Sequence, residues 1–400
     1  MASMSPARSV LLCEPQCWGF EHAPFNAALL STVCLAYPSA KIVYYGEPSH
    51  LEYTRNEFGR FRGEKDVCFA PVRAPRRELT GARRLPREFS LCRRMLAEAS
   101  RDESQALIFC SITSTSLLSL KLLMKTRRFH RPTAAVVHGC LANVAGPQPR
   151  RPWNWLLDLR RVLALPHPSS LRLIALGNSI RANLEAMRPR QSHQWSSMDH
   201  VYLWPDASLA QDALPGPNRP PRFGYLGVAS KAGGKGFDTF CQLTEDVAPS
   251  RETAEFTVAG FYLGPVNEKP ICPYVRDIPD EPLSREAFEQ RVRQITYVVS
   301  TAKPEHYRLA ASGTFLDALA FLKPGIYLRN DYVAHYFDQM GDIGYLCDSR
   351  EEMVRTIKEI MAEFPEDRYQ SQIENIKKGR TIFEPKVLAP RIREILSPGA

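Results

Sequence analysis

Short apolar runs alternating with helical segments constrain this chain more than any other feature of its sequence. Ser9-Val10-Leu11-Leu12-Cys13 reads as a strand ended by Glu14-Pro15. A loop containing Gly19 follows, and then helical spacing from Phe25 to Ala36. The pattern recurs with strands at 41–45 and 106–111, a helix at 114–126, strands at 133–137 and 171–176, and a helix at 180–187. Strands alternating with helices build βα units and a parallel sheet. Pro215, Pro217, Pro220 and Pro221 then interrupt the pattern, because a proline run sits in neither a helix nor a central strand. Beyond them it restarts, with strands at 223–228, 255–260, 295–300, 325–329 and 344–347 and helices at 236–247, 284–294, 313–322, 351–363 and 367–378. The expectation is an α/β protein of two doubly wound parallel-sheet domains, 1–204 and 222–380, joined by a Pro-rich linker at 205–221 and followed by a segment at 381–400. Open α/β sheets bind ligands beyond the carboxyl ends of their strands, so two such domains facing one another are expected to form a cleft.

Length and composition agree. Four hundred residues exceed a single core, and 44% apolar with 24% charged residues excludes disordered, collagen-like and membrane-spanning classes. No run approaches the roughly 18 apolar residues of a membrane helix, and Met1 to Val10 lacks a secretory signal's apolar core, so a cytoplasmic protein is expected. The ten cysteines are too sparse for a disulfide scaffold, and Cys13/Cys17 and Cys68/Cys92 lack zinc-ligand spacing, so reduced, mostly buried thiols are expected. The absence of an Asn-x-Ser/Thr sequon agrees with that location.

The net charge of +9 is unevenly spread. Residues 1–200 carry 28 Lys and Arg against 15 Asp and Glu, whereas residues 201–400 carry 24 against 28. Much of the excess lies in a basic loop that runs into a helix near Arg87, with Arg73, Arg76, Arg77, Arg83, Arg84, Arg87, Arg93 and Arg94. This stretch suits an anionic membrane surface, the diphosphate of a lipid-linked acceptor, or nucleic acid phosphates. No nucleic-acid-binding module accompanies it, so no nucleic acid partner is expected. A solvated loop is the plain alternative.

Two segments of the second half are suited to anions. The first strand there leads into Gly227-Val228-Ala229-Ser230-Lys231-Ala232-Gly233-Gly234-Lys235-Gly236-Phe237-Asp238. Its glycines allow close backbone approach, a helix start offers free N–H groups, and Lys235 adds a cation. Neither a P-loop nor a Gly-x-Gly-x-x-Gly fingerprint fits. In the second segment Ser312-Gly313-Thr314 caps a helix and presents hydroxyls and N–H groups suited to a diphosphate. Asp317, a turn further on, is a carboxylate of the kind that accepts hydrogen bonds from a ribose diol. A flexible turn and an ordinary capped helix are the structural alternatives.

These pieces, GYLG with KGFD, FTVAG, and YVVSTAKPEHYRLAASGTFLDALAFLKPGI, together resemble the two-domain GT-B glycosyltransferases, especially the family 4-like group. The likeness covers about residues 220–375, and the first half only by layout. It implies two Rossmann-like domains and a nucleotide-sugar donor, with Lys235 on the pyrophosphate, Ser312, Gly313 and Thr314 on the phosphates and Asp317 on the ribose. Gly227, Gly236, Tyr307 and Arg308 complete the implied donor set. The family's retaining members carry two glutamates eight positions apart, but Leu309 stands where the first would fall, so the resemblance leaves the stereochemistry open. It also implies that the C-terminal segment, Phe383 to Leu396, crosses back to the first domain.

The first domain is then expected to hold a carbohydrate or lipid-linked acceptor. The loop after the first strand carries Gly19, Glu21, His22 and Asn26. His22 is the leading candidate for the base that takes the acceptor proton, with Glu21 beside it; Asp206 is a weaker option. Gly19, Asn26 and His138 are candidate acceptor contacts. Without an Asp-x-Asp pair, the expected enzyme is a metal-independent hexosyltransferase that uses no cofactor. Two rivals remain. One is a nucleotide-sugar epimerase of the same fold, and the other is a basic nucleic-acid- or anionic-lipid-binding protein with a degenerate enzyme domain.

Overall fold

The computed structural model describes residues 8–61, 66–76, 78–102, 104–205, 220–230, 234–247, 255–265, 269 and 272–397. Asp206, most of the Pro-rich linker, Arg77 and Lys231-Ala232-Gly233 lie outside the described residues. Contacts divide the chain into two compact units. Met1–Leu203, Leu309–Ala311 and Ile382–Ala400 form one, and Trp204–Arg308 with Ser312–Thr381 form the other.

The first unit is built on seven parallel strands: β1 (Ser9–Cys13), β2 (Lys41–Gly46), β3 (Val67–Pro71), β4 (Ala106–Phe109), β5 (Thr133–Val136), β6 (Leu171–Leu176) and β7 (Trp195–Met198). Their order is β3-β2-β1-β4-β5-β6-β7, so the chain reverses direction across the sheet between β1 and β4. Strands β1, β4 and β5 are buried along their whole length, because a parallel sheet is covered on both faces. That is why they read as unbroken apolar runs. The helix Ala23–Ala36 is buried nearly all round, between the sheet core and the helices Pro48–Phe61 and Pro385–Ile395. The last of these seats Leu388, Ala389, Ile392 and Ile395 in the same core as Val10 and Leu30.

The second unit has six parallel strands: β8 (Arg222–Ala229), β9 (Glu255–Tyr262), β10 (Val275–Arg276), β11 (Tyr297–Ser300), β12 (Gly325–Leu328) and β13 (Gly344–Cys347), in the order β10-β9-β8-β11-β12-β13. Its core is aromatic. Phe223 faces Phe256 and Tyr297 at 5.6 and 6.1 Å between ring centroids, and Tyr225 packs on Phe237 and Phe240 at 5.1 and 5.4 Å. No helix among the described residues is long and apolar enough to cross a membrane.

The expectation of wholly reduced cysteines is corrected here. Cys241, on the helix Phe237–Val247, forms a disulfide with Cys272, their Cα atoms 5.5 Å apart. The two lie 31 residues apart in sequence, and it is the fold of the second unit that brings them within bonding reach. The other eight cysteines are free, and most are buried.

Candidate functional site

In the second unit the glycine loop and the capped helix meet. Strand β8 ends with Gly227 at φ 88°, a backbone region in which a side chain is strained. A Cβ placed there would lie 2.9 Å from Thr314 Cγ2 and 3.7 Å from Lys235 Nζ. Gly227, Lys235 and Thr314 therefore converge on one point. Gly236, at φ 73°, brings the loop against the far side: a Cβ there would lie 1.9 Å from the Thr301 carbonyl oxygen, and Thr301 Oγ1 donates to the Gly236 carbonyl at 2.6 Å. Lys303 N also donates to the Gly234 carbonyl at 2.9 Å, so the loop is clamped to the segment after β11.

The helix Gly313–Ala320 begins at Ser312, whose Oγ accepts from Phe315 N at 3.2 Å and lies 3.1 Å from Thr314 Oγ1. A Cβ at Gly313 would meet nothing within 4 Å, which leaves that backbone turn open to a ligand. Lys235 has no ion-pair partner among the described residues. Its charge, after burial, helps to hold His306 below the usual histidine pKa, so His306 stays neutral beside it. Tyr225, Lys235, Ser300, Tyr307, Thr314 and Tyr327 line a narrow cavity under this seat. Tyr307 is buried, Arg308 exposed, and Asp317 partly buried one turn into the helix. The arrangement supplies one cation, a hydroxyl pair and a free helix start, the groups that stabilise a diphosphate.

In the first unit a buried network holds the loop after β1. Glu14 Oε1 accepts from Ser111 Oγ at 2.5 Å and from Gln16 N and Cys17 N at 3.0 and 3.2 Å. Glu14 Oε2 accepts from Asn26 Nδ2 at 3.2 Å. The same Nδ2 lies 2.8 Å from His50 Nε2, and His50 Nδ1 lies 2.9 Å from the Gly19 carbonyl oxygen. A carbonyl only accepts, so His50 carries its proton on Nδ1, and Nε2 accepts from Asn26. Trp18 N donates to Glu21 Oε2 at 2.9 Å, and Gly19 N to Ser49 Oγ at 3.0 Å.

This network sets His22 at the head of the helix Ala23–Ala36 with φ 51°, a left-handed conformation that costs a residue with a side chain about 1–2 kcal/mol. Its ring meets His138 edge to face at 4.6 Å, and Phe25 packs on His138 at 5.3 Å and on His200 at 4.7 Å. His22 is exposed at the chain surface, yet its crowded ring loses enough water to lower its pKa, opposed by Glu14 and Glu21 and reinforced by His50. Burial, followed by the charges of His22 and His200, holds His138 well below its ordinary value. Burial, followed by His22, pushes His200 down to about 4. All three are neutral imidazoles near pH 7, the form a general base needs. His138 Nε2 is buried and has no hydrogen-bond partner among the described residues.

The structure thus joins Gly227, Lys235, Gly236 and Thr314 in one place, and His22 and His138 in another. Asn26 is corrected: it is wholly buried between Glu14 and His50 and supports the loop rather than presenting itself to a ligand. Gly19, partly buried, offers its carbonyl to His50. Glu14, His50, Ser111 and His200 were not legible as site residues. Glu14 reads in sequence only as the end of a strand, and His50 lies in a helix of largely polar sequence, where nothing local marks it as buried. Among the described residues no group of His, Cys, Asp and Glu could hold a metal ion.

No protein-family model and no curated protein matches the chain. Solved structures do, at the level of fold. Anabaena HepE in complex with UDP-glucose is similar with a TM-score of 0.64 at 13% identity, over 97% of this chain and 99% of that one. The E. coli trehalose-6-phosphate protein bound with UDP-2-fluoro glucose gives a TM-score of 0.64 at 8% identity, over 98% and 99%. A putative UDP-N-acetylglucosamine 2-epimerase from Listeria monocytogenes gives 0.54 at 11%, over 96% and 95%. The two parallel-sheet units have the GT-B fold.

Proposed function

We propose that this protein is a metal-independent glycosyltransferase that moves a hexose from a nucleotide-sugar donor to a hydroxyl of a carbohydrate or lipid-linked acceptor. The second unit would hold the donor, with its diphosphate at Gly227, Lys235, Gly236 and the Ser312-Gly313-Thr314 turn, flanked by Tyr307 and Arg308, and its ribose at Asp317. In the first unit His22 would take the acceptor proton, with Glu21 and His138 beside it. The observation that carries the reading is the convergence on one point of Gly227, Thr314 and the Lys235 ammonium, which has no ion-pair partner among the described residues and so suits an anion there. The similar folds seen with UDP and UDP-sugars support it. We keep the cytoplasm as its place of work, with the Arg73–Arg94 stretch turned toward an anionic partner.

The test is a calorimetric titration with a panel of nucleoside diphosphates and their sugars. Wild type is expected to bind at least one, and Lys235→Ala to weaken it about 10- to 100-fold, the worth of one charge-assisted hydrogen bond. Equal affinity in the two proteins would remove the donor assignment. The likeness to the Listeria epimerase keeps a second reading in view. Incubation with donor alone decides it, because an epimerase releases an isomerised sugar nucleotide without any acceptor.

A further inference from the structure

A large cavity not used by this chemistry lies in the first unit. It measures about 950 Å³, within the range of small-ligand sites. Its walls follow the carboxyl ends of three neighbouring strands: Trp18 comes after β1, Glu47 after β2, and Arg73 and Arg76 after β3. The facing wall is the helix Leu85–Arg101, which contributes Arg87, Ser90, Leu91 and Arg94. That spacing, i, i+3, i+4 and i+7, sets all four on one helical face.

Four guanidinium groups therefore border one hollow. None has an ion-pair partner among the described residues, although Arg94 lies over the Tyr45 ring at 6.0 Å. Glu47 is the one carboxylate in the wall, and its Oε2 is already occupied by Ser49 N at 2.8 Å, His50 N at 3.1 Å and Ser49 Oγ. Like charges gathered around a cavity repel one another unless an anion enters. A hollow, unlike a flat patch, suits a discrete anion, and planar guanidinium forks match phosphate oxygens. Trp18 ties this hollow to the loop of His22: its Nε1 donates to the Pro75 carbonyl at 3.1 Å and its backbone N to Glu21 at 2.9 Å.

We infer that this cavity binds a phosphate or diphosphate ester, and that the acceptor carries that group. The inference about the acceptor rests on the transferase reading; the anion site itself does not. Lys235→Ala protein, in which the seat in the second unit is disabled, serves as the background. Inorganic pyrophosphate is titrated into it calorimetrically, and into the same chain carrying Arg76→Gln and Arg87→Gln. The background protein is expected to bind with an affinity that falls as salt rises, and the two added changes to weaken binding about 100-fold, roughly tenfold for each lost charge-assisted contact. An unchanged melting temperature shows that the fold is intact. Should it fall, Arg73→Gln alone carries the test.

Glucose 1-phosphate and geranyl diphosphate, titrated in the same way, distinguish a soluble phosphorylated acceptor from a lipid-linked one, and arginine-dependent binding of either supports the site. Affinity for all three probes independent of these arginines overturns it. So does arginine-dependent binding to phosphatidylglycerol vesicles with no binding of the small anions. A wild-type chain that bound no nucleotide would count against the transferase reading and leave the pyrophosphate result standing.

Discussion

Asn26→Leu tests the network beneath the His22 loop. The two side chains have the same number of heavy atoms and branch alike at Cγ, so the change removes the hydrogen bonds while keeping the side chain's outline. Asn26 is wholly buried and its Nδ2 serves two acceptors, Glu14 Oε2 at 3.2 Å and His50 Nε2 at 2.8 Å. Leaving the Glu14 oxygen without that donor costs about 1.5–3 kcal/mol. The loss at His50 is smaller, about 1 kcal/mol, because Nε2 keeps Thr54 Oγ1 at 3.1 Å. Against this, the variant loses Asn26 Oδ1, a buried oxygen with no hydrogen-bond partner among the described residues, whose removal is favourable by about 1 kcal/mol. The net expectation is a loss of about 1.5–3 kcal/mol.

Native-state hydrogen exchange of the helix Ala23–Ala36 is the assay, since it reads one unit of a two-unit chain without assuming two-state unfolding. Its slowest amides should exchange about 10- to 150-fold faster in the variant. Acceleration below about threefold would show that Asn26 does not bridge Glu14 and His50, and the proton assignment on His50 would fall with it.

Three further outcomes follow from the same structure. Gly236→Ala would place a Cβ 1.9 Å from the Thr301 carbonyl oxygen at φ 73°, so thermal denaturation should show a loss above about 3 kcal/mol or no soluble protein; a shift under about 2 °C contradicts the clamp. Reducing the Cys241–Cys272 bond, which closes a 31-residue separation, should lower stability by roughly 3–4 kcal/mol on the chain-entropy model, and an unmoved urea transition in Cys241→Ser would deny the bond a role. His200 has its folded pKa lowered to about 4, so the unfolded chain binds its proton first as pH falls from 6.5. This contribution is therefore lost between pH 6.5 and 4, with a slope of at most about 1.4 kcal/mol per pH unit, and His200→Asn should flatten it; an identical slope in both proteins would refute the assignment.

The central strands were legible because burial on both faces forces an apolar run whatever the neighbours do, as in Val10-Leu11-Leu12 and Ala106-Leu107-Ile108. Elements that meet solvent were not. The helix Pro48–Phe61 hides only His50, Leu51, Thr54 and Phe58, and edge strand β3 is at most half-buried, so neither sequence declares itself. Strand 106–111 ends at Phe109, the last residue paired with both β1 and β5, and the helix expected from Ile180 begins at Asn178. In the second unit the glycines and Lys235 were visible, since conformational need and charge are properties of single residues. The histidine cluster was visible only in part. The ring contacts of His200 depend on a crossing of elements that local sequence does not encode, and the role of Asn26 depends on what lies on either side of it.

The return of Pro385–Ile395 to the first unit bears on how the protein is made. Leu388, Ile392 and Ile395 complete a core begun by residues at the opposite end of the chain. During synthesis the early half must wait, with an apolar face bare, until Pro385–Ile395 has emerged from the ribosome. A chain cut after Thr381 would therefore hold every residue of the second unit and lack part of the first. Trimming the tail should be felt hundreds of residues upstream, where the exposed face of Ala23–Ala36 becomes a target for chaperones and proteases.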